Sequence, residues 1–258
     1  MIVSKEYVES VIAQGKRIDG RKFDEYRKIE IEYGISPKSA EGSARVKIGD
    51  TEVLAGVKME LGTPFPDKPE EGSIMVNVEL IPMASSMFES GPPSINAIEL
   101  ARVTDRGIRE SKALDFKKLC VKAGEKVWLV FIDIYPINAD GNLFDACYMA
   151  ALAAIKDACF PLLNGENKID YKEKSKNKLP LVKMPISCTV WMIGETLLVD
   201  PTPEEEMAAD ARLSIVILED GKICAMQKGG SMALRTDEIF KMVGIAEEKT
   251  KEIRRHFK

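Results

Sequence analysis

Residues 127–135 read Val127-Trp-Leu-Val-Phe-Ile-Asp-Ile-Tyr135, a near-continuous apolar run in the middle of a 258-residue chain. Such a run is typical of a strand that is covered on both faces. The turn Asn138-Ala-Asp-Gly141 follows, and the alanine-rich segment from Asp145 to Phe160 predicts a helix. Because small side chains let a helix approach its neighbour closely, we expect this helix to pack tightly against another element.

Strands are predicted on both sides of this segment. Before it, apolar residues alternate in four stretches, at 29–33, 46–48, 53–59 and 74–80. After it, four more strands are predicted, at 185–193, 196–200, 211–218 and 222–227, and an amphipathic helix carries Ile239 to Ile253. Clusters of strands followed by helices predict an α+β fold.

A polar and highly charged stretch, from Leu163 to Lys178, separates these two groups of elements. We interpret it as a loop or an exposed hairpin. The sequence therefore predicts a single domain, residues 1–258, with two similar halves at about 1–162 and 179–258 joined by this charged segment.

Composition excludes several classes of protein. The five cysteines form no C-x-x-C pair, so neither a disulfide framework nor a zinc knuckle is expected. The N-terminus lacks the apolar core of a signal peptide, and no apolar run reaches the length of a membrane span. We therefore expect a cytoplasmic protein with no membrane association, no metal and no cofactor.

Charge and histidine content narrow the function further. The net charge of −4 means that any nucleic-acid contact must be a local basic cluster, completed by another chain. The single histidine, His256, lies in a basic C-terminal tail. Histidine triads, Cys–His pairs and multi-histidine metal sites are thereby disfavoured.

A helix predicted from Ile95 to Lys112 carries three arginines along one edge, Arg102, Arg106 and Arg109. Two interpretations fit this spacing. The edge is either a solvated face, since Glu99, Asp105 and Glu110 are within reach for ion pairs along the helix, or a phosphate-binding surface, since guanidinium groups match phosphate oxygens. The pattern alone does not choose between them.

Six segments of the chain match motifs of a known family. They are Arg17-Ile-Asp-Gly-Arg21, Gly42-Ser-Ala-Arg-Val-Lys-Ile-Gly-Asp-Thr51, Val76-Asn-Val-Glu79, Glu89-Ser-Gly-Pro-Pro93, Ala97-Ile-Glu-Leu-Ala-Arg-Val-Thr-Asp-Arg106 and Leu198-Val-Asp-Pro-Thr-Pro-Glu-Glu-Glu206. These segments resemble the RNase PH-like subunits of the archaeal exosome. The last two are similar to the subunit that pairs with the active nuclease. The resemblance covers almost the whole chain.

The resemblance implies a single RNase PH-like domain with a ribosomal protein S5 domain 2-like fold. It also implies a ring of three heterodimers with an active RNase PH-like subunit, under a trimeric cap of RNA-binding subunits. The complex would shorten single-stranded RNA from its 3′ end by phosphate attack. RNA contacts would fall on Arg102 and Arg106, with Arg109 weaker.

One turn decides whether a family member is active. Active members bind the attacking phosphate at a Gly-Gly-Ser/Thr-Arg-type turn that opens a helix, where free N–H groups and the helix dipole favour an anion. Here the turn reads Asp140-Gly-Asn-Leu-Phe-Asp145, including Gly141 and Asn142, with no arginine or hydroxyl. We expect Asp140 and Asp145 to replace the phosphate at the helix start and Leu143 and Phe144 to pack, leaving a degenerate phosphate site.

Carboxylates are still present in the second half of the chain. Pro201, Pro203 and the glutamates at 204–206 predict the first turn of a helix, and Asp210 is a possible remnant of a catalytic aspartate. We expect a non-catalytic subunit that binds RNA and shapes the active site of its partner. Two alternatives remain open: an active phosphorolytic 3′-to-5′ exoribonuclease, or a purely structural ring subunit.

Overall fold

The chain folds around two antiparallel-rich sheets and one buried helix. The computed structural model describes residues 4–163 and 169–257, apart from the side chains of residues 170–174. The first half contains helix α1 (Lys5–Ala13), strands β1 (Ile29–Tyr33), β2 (Gly42–Ile48), β3 (Thr51–Gly62) and β4 (Ser73–Val78), helix α2 (Ile95–Glu110), a short 3-10 helix (Phe116–Leu119), strands β5 (Cys120–Lys122) and β6 (Lys126–Asn138), and helix α3 (Leu143–Asp157).

The second half also combines strands with helices. It contains strands β7 (Cys159–Leu163), β8 (Ile169–Lys178), β9 (Ile186–Ile193) and β10 (Thr196–Val199), helix α4 (Pro203–Ala208), strands β11 (Ala211–Ile217) and β12 (Ile223–Gly230), and helix α5 (Thr236–Arg254). No helix within 4–163 or 169–257 is long and apolar enough to cross a membrane.

The predicted apolar strand is part of β6, which pairs with β3, β4 and β5 in the larger sheet. That sheet has the order β1-β2-β3-β6-β4, with β5 also on β6, and only the β4–β6 pair is parallel. The smaller sheet has the order β10-β9-β11-β12 and is antiparallel. One hydrophobic cluster draws buried residues from both sheets and from α3.

Helix α3 packs as tightly as its alanines predict. Every residue from Asp145 to Ile155 is buried, and the helix contacts β2, β3 and β6 of the large sheet and β9 of the small one. Gly42 allows the closest approach, because a Cβ there would lie 2.4 Å from the Ala154 carbonyl oxygen. The backbone of β2 therefore packs directly against the end of α3.

The structure corrects one predicted boundary. Helix α3 ends at Asp157 rather than Phe160, because Pro161 has no N–H for a helical hydrogen bond and restricts the residue before it. For the charged stretch predicted as a loop or an exposed hairpin, the structure agrees with the hairpin: β8 pairs antiparallel with β7. Its residues 164–168 lie outside the described part of the chain.

Candidate functional site

Helix α2 presents its arginines at the surface, on the side away from its buried residues. Leu100, Val103 and Ile108 face the core. Arg102 and Arg109 are exposed, and Arg106 is half-buried. We call Arg102, Arg106 and Arg109 the arginine edge. Its placement is the one that the helical periodicity predicts.

The three arginines differ in their partners. Arg109 is paired with Asp105 on its own helix at 2.9 Å, which neutralises it. Arg106 donates from Nη1 to the amide oxygen of Gln227 at 2.8 Å. Arg102 has no hydrogen-bond or ion-pair partner among the described residues. The solvated-face interpretation therefore fits Arg109, whereas Arg102 and Arg106 keep an uncancelled positive charge; that they contact RNA stays a prediction.

The start of α3, the predicted phosphate-site region, lies against the loop that joins β10 to α4. Gly141 has φ +80°, and a Cβ there would lie 2.3 Å from the Pro201 carbonyl oxygen. Asn142, with φ +55°, stands immediately before the helix. This contact brings the second half of the chain onto the helix start.

A carboxylate of the chain itself occupies this helix start. Glu206 Oε1 accepts the Asn142 backbone N–H at 2.7 Å, and Asp200 Oδ1 accepts from Asn142 Nδ2 at 2.9 Å. Although Glu206 keeps some contact with solvent, burial raises the pKa of its carboxyl to about 7. The N–H group at the positive end of the helix dipole, which would help to hold an anion, thus already has the Glu206 carboxyl as its partner.

We expected Asp140 and Asp145 to stand in this place, and the structure corrects that expectation. Asp140 pairs with Arg27 at 2.9 Å. Asp145 is in the first turn, but its side chain is fully buried and Oδ2 accepts from the Tyr26 hydroxyl at 2.7 Å. The cause is a long-range contact: Glu206, 64 residues further along the chain, accepts the Asn142 N–H at the helix start.

Three arginines fix this arrangement from the N-terminal side. Arg17 and Glu205 form a fully buried ion pair at 2.5 Å. Arg21 and Arg27 both donate to the buried carboxylate of Asp200, at 2.8 and 2.9 Å. Asp200 thereby joins the segment before β1, the loop before α4 and the start of α3.

Arg212 is a further charged residue at the site that the sequence did not reveal. Its guanidinium lies over the rings of Phe144 and Trp191, 4.1 and 5.5 Å from the centroids. It pairs with Glu99 of α2 at 2.6 Å. Phe144 packs, as predicted, but against a cation rather than in an empty pocket.

The Asp210 side chain accepts two hydrogen bonds from other parts of the fold. It accepts from Lys5 Nζ and from the Gly194 backbone N–H, both at 2.9 Å. The hydrogen bond from Lys5 lowers the pKa of Asp210, so its carboxyl holds no proton at neutral pH with which to act as an acid. Among the described residues, no cluster of three His, Cys, Asp or Glu side chains could hold a metal ion.

These features define an RNase PH-like protein, with two sheets around a central helix whose anion-binding end is closed by the chain itself. Residues 25–161 match the sequence model of the 3′ exoribonuclease family, domain 1, and residues 183–249 match domain 2. The chain belongs to this 3′ exoribonuclease family, which confirms the predicted fold class.

Similar proteins carry the name of one exosome subunit. "Exosome complex component Rrp42" of Methanocella arvoryzae is 47% identical over 98% of this chain and 94% of its own length. The protein of that name from Pyrococcus horikoshii is 46% identical over 98% and 93%.

Solved structures agree with the sequence relatives. A chain in a structure titled "archaeoglobus fulgidus exosome with RNA bound to the active site" is 44% identical with a TM-score of 0.92, over 98% of this chain and 97% of that one. Rice Rrp46 has a TM-score of 0.70 at 18% identity, over 93% and 98%, and shows the shared fold alone.

Proposed function

We propose that this chain is a non-catalytic, RNA-binding subunit of an archaeal exosome. In this proposal it pairs with an active RNase PH-like subunit, three such heterodimers form a hexameric ring, and a trimeric cap of RNA-binding subunits covers the ring in the cytoplasm. The names of its relatives, exosome component Rrp42, support this assignment.

The observation that carries the non-catalytic assignment is the Glu206 carboxylate at the start of α3. Phosphorolysis needs an inorganic phosphate held as the nucleophile. A phosphate dianion approaching this helix end would meet a carboxylate that already accepts the Asn142 N–H. That N–H group is therefore not free for a phosphate oxygen, and the ionised form of Glu206 would repel the dianion. We therefore expect no phosphate to bind at this helix start.

The RNA-binding assignment depends on the uncancelled charges of Arg102 and Arg106. A single-stranded RNA needs few positive charges on this subunit if the partner lines the other side of the path. Phosphate contacts of this kind hold the RNA backbone without reading its sequence. The subunit would thus position RNA for an active site that lies in its partner.

The chain alone should therefore not shorten RNA, at any phosphate concentration. Mixed with its active partner, it should raise phosphate-dependent release of nucleoside diphosphates by orders of magnitude over either chain alone. The measurement is nucleoside diphosphate release from a labelled oligoadenylate, with phosphate varied from none to saturating.

The Asp210→Ala variant serves as the control in this assay. Asp210 contacts Lys5 and Gly194 rather than the helix start, so the mixture should keep close to wild-type activity. Phosphorolysis by the chain alone that matched the mixture, and that disappeared in Asp210→Ala, would make the chain an enzyme and overturn the proposal.

The double variant Arg102→Ala, Arg106→Ala should bind RNA about tenfold more weakly at moderate salt. Each phosphate contact on single-stranded RNA releases counterions, so the slope of log K against log salt should become shallower by about 0.7 per lost contact. Binding is measured by fluorescence anisotropy of a labelled oligoadenylate on the assembled complex, without phosphate.

The double variant Asp105→Ala, Arg109→Ala is the matched control for this measurement. It removes the ion pair between Asp105 and Arg109 from the same helix and leaves the net charge unchanged. Its affinity and salt slope should stay close to wild type. Unchanged binding by the Arg102→Ala, Arg106→Ala variant would favour the purely structural alternative.

A further inference from the structure

The charge on the arginine edge depends on a neutral partner from the smaller sheet. Gln227 lies on β12 and accepts from Arg106 through its amide oxygen. Its Nε2 donates to the Lys228 carbonyl oxygen at 3.2 Å, which fixes the direction of the amide. An amide orients a guanidinium without cancelling its charge, whereas the carboxylate of Asp105 cancels that of Arg109.

Arg212, a second residue of the smaller sheet, pairs with an acid that would otherwise compete for Arg102. Glu99 stands three positions before Arg102 on α2, a spacing that favours an ion pair along the helix. Instead, Glu99 pairs with Arg212 of β11 at 2.6 Å. Since Arg212 takes up this carboxylate, Arg102 is left without an acidic partner among the described residues.

Arg212 is itself held firmly in place. Phe144 and Trp191 pack against its guanidinium. Gly229, its partner across the β11–β12 ladder, leaves room for it, because a Cβ there would lie 1.7 Å from Arg212 Nη1. The hairpin thus places Arg212 and Gln227 against the same face of α2.

From these contacts we infer that the β11–β12 hairpin sets the charge and the geometry of the arginine edge for RNA. Gln227 is a positioning residue for Arg106, and Arg212 is a positioning residue that withdraws Glu99 from Arg102. Neither needs to touch RNA. The inference rests on the proposed RNA-binding role and adds to it the residues that prepare the surface.

The decisive variant is Gln227→Glu. It keeps the size of the side chain but gives Arg106 a carboxylate partner, as Arg109 has. RNA affinity of the assembled complex should fall about three- to tenfold, and the salt slope should become shallower by about 0.7, as in Arg106→Ala. Anisotropy with a labelled oligoadenylate in phosphate-free buffer measures both quantities.

Gln14→Glu is the matched control, because it makes the same chemical change on the exposed end of α1. Its affinity and slope should equal those of wild type. Gln227→Leu keeps the net charge and removes the acceptor, so affinity should fall severalfold while the slope stays unchanged. Thermal melting of each complex checks that the fold is intact.

Arg212 is tested by suppression, since its loss alone could disturb packing around Phe144. Arg212→Gln should weaken RNA binding, and Glu99→Gln in the same chain should restore it. A purely structural role for Arg212 predicts no restoration, and that result would overturn its part of the inference.

The reference variant Arg106→Ala tests the RNA role of Arg106 separately from the positioning role of Gln227. If Arg106→Ala weakens binding but Gln227→Glu behaves as Gln14→Glu does, the positioning role of Gln227 is wrong and the proposed function stands. If Arg106→Ala binds as wild type, the RNA role of Arg106 is wrong, and the inference fails with it.

Discussion

Asp200→Ala should lower the free energy of unfolding by about 3–5 kcal/mol, because it removes the anion from a buried charge network. The Asp200 side chain is fully buried and accepts from Arg21, from the backbone and side chain of Arg27, and from Asn142. Without it, Arg21 keeps only Asp19 and Arg27 keeps only Asp140 as a carboxylate partner, and both of these are more exposed than Asp200. The loss of a buried carboxylate from such a network costs far more than the loss of a surface ion pair.

The backbone at this position adds to the effect and must be separated from it. Asp200 has φ +48°, a left-handed conformation that costs alanine roughly 1–2 kcal/mol. Asp200→Asn tolerates this conformation and keeps the shape, so it isolates the loss of charge. Urea unfolding at neutral pH, followed by fluorescence of the two tryptophans, measures both variants.

Glu125→Ala provides the comparison, since its ion pair with Lys122 is exposed. Surface pairs of this kind contribute about 0–1 kcal/mol. If Asp200→Asn proved as mild as Glu125→Ala, the network around Asp200 would not be what joins the two halves of the chain at the start of α3.

The sequence predicted the elements that periodicity controls. Helix α2 was predicted at Ile95–Lys112 and is observed at Ile95–Glu110, because its apolar stripe and the cap Ser94 are local features. The strand at 127–135 and the helical turn after Pro201 were found for the same reason. Local patterns were sufficient wherever neighbours along the chain decide the structure.

The site could be predicted only in part, because its key contacts join distant segments. The motif Asp140–Asp145 predicts a degenerate phosphate site, which stays a prediction, but nothing local shows that Glu206 accepts the N–H at that helix start or that Arg212 meets Glu99. One available signal was missed. Asp145 is the sole carboxylate before Asp157 in a helix that is otherwise apolar on all sides, which predicts a buried acid.

That buried acid leads to a pH dependence of stability. Burial raises the pKa of Asp145 to about 6, whereas an aspartate in the unfolded chain titrates near pH 3.9. Between about pH 4 and pH 6 the folded protein therefore holds a proton that the unfolded chain has released. This contribution to stability is fully present below pH 4 and is lost as the pH rises through 6.

Asp145→Asn should remove this loss, since an amide cannot ionise. At pH 8 the variant should be more stable than wild type by about 2–3 kcal/mol, which corresponds to a shift of about two pKa units. At pH 4 the two should be nearly equal. The amide oxygen of asparagine can still accept the Tyr26 hydroxyl that Asp145 accepts now.

The measurement is the free energy of unfolding in urea from pH 4 to pH 8. Asp67→Asn, at an exposed position, is the control and should give a curve parallel to wild type. A slope that remains in Asp145→Asn up to about pH 7 belongs to Glu206, whose pKa is raised in the same direction. Such a slope would report the carboxyl that closes the start of α3.

A stability difference of the opposite sign between Asp145→Asn and wild type would be equally informative. If Asp145→Asn were less stable than wild type at pH 8, the ionised carboxylate would be the form that the fold stabilises. Its hydrogen bond from Tyr26 would then outweigh burial, opposite to the raised pKa of Asp145. In that case Asp145 would be charged at neutral pH and would add a negative charge near the Glu206 carboxyl at the start of α3, against an incoming phosphate.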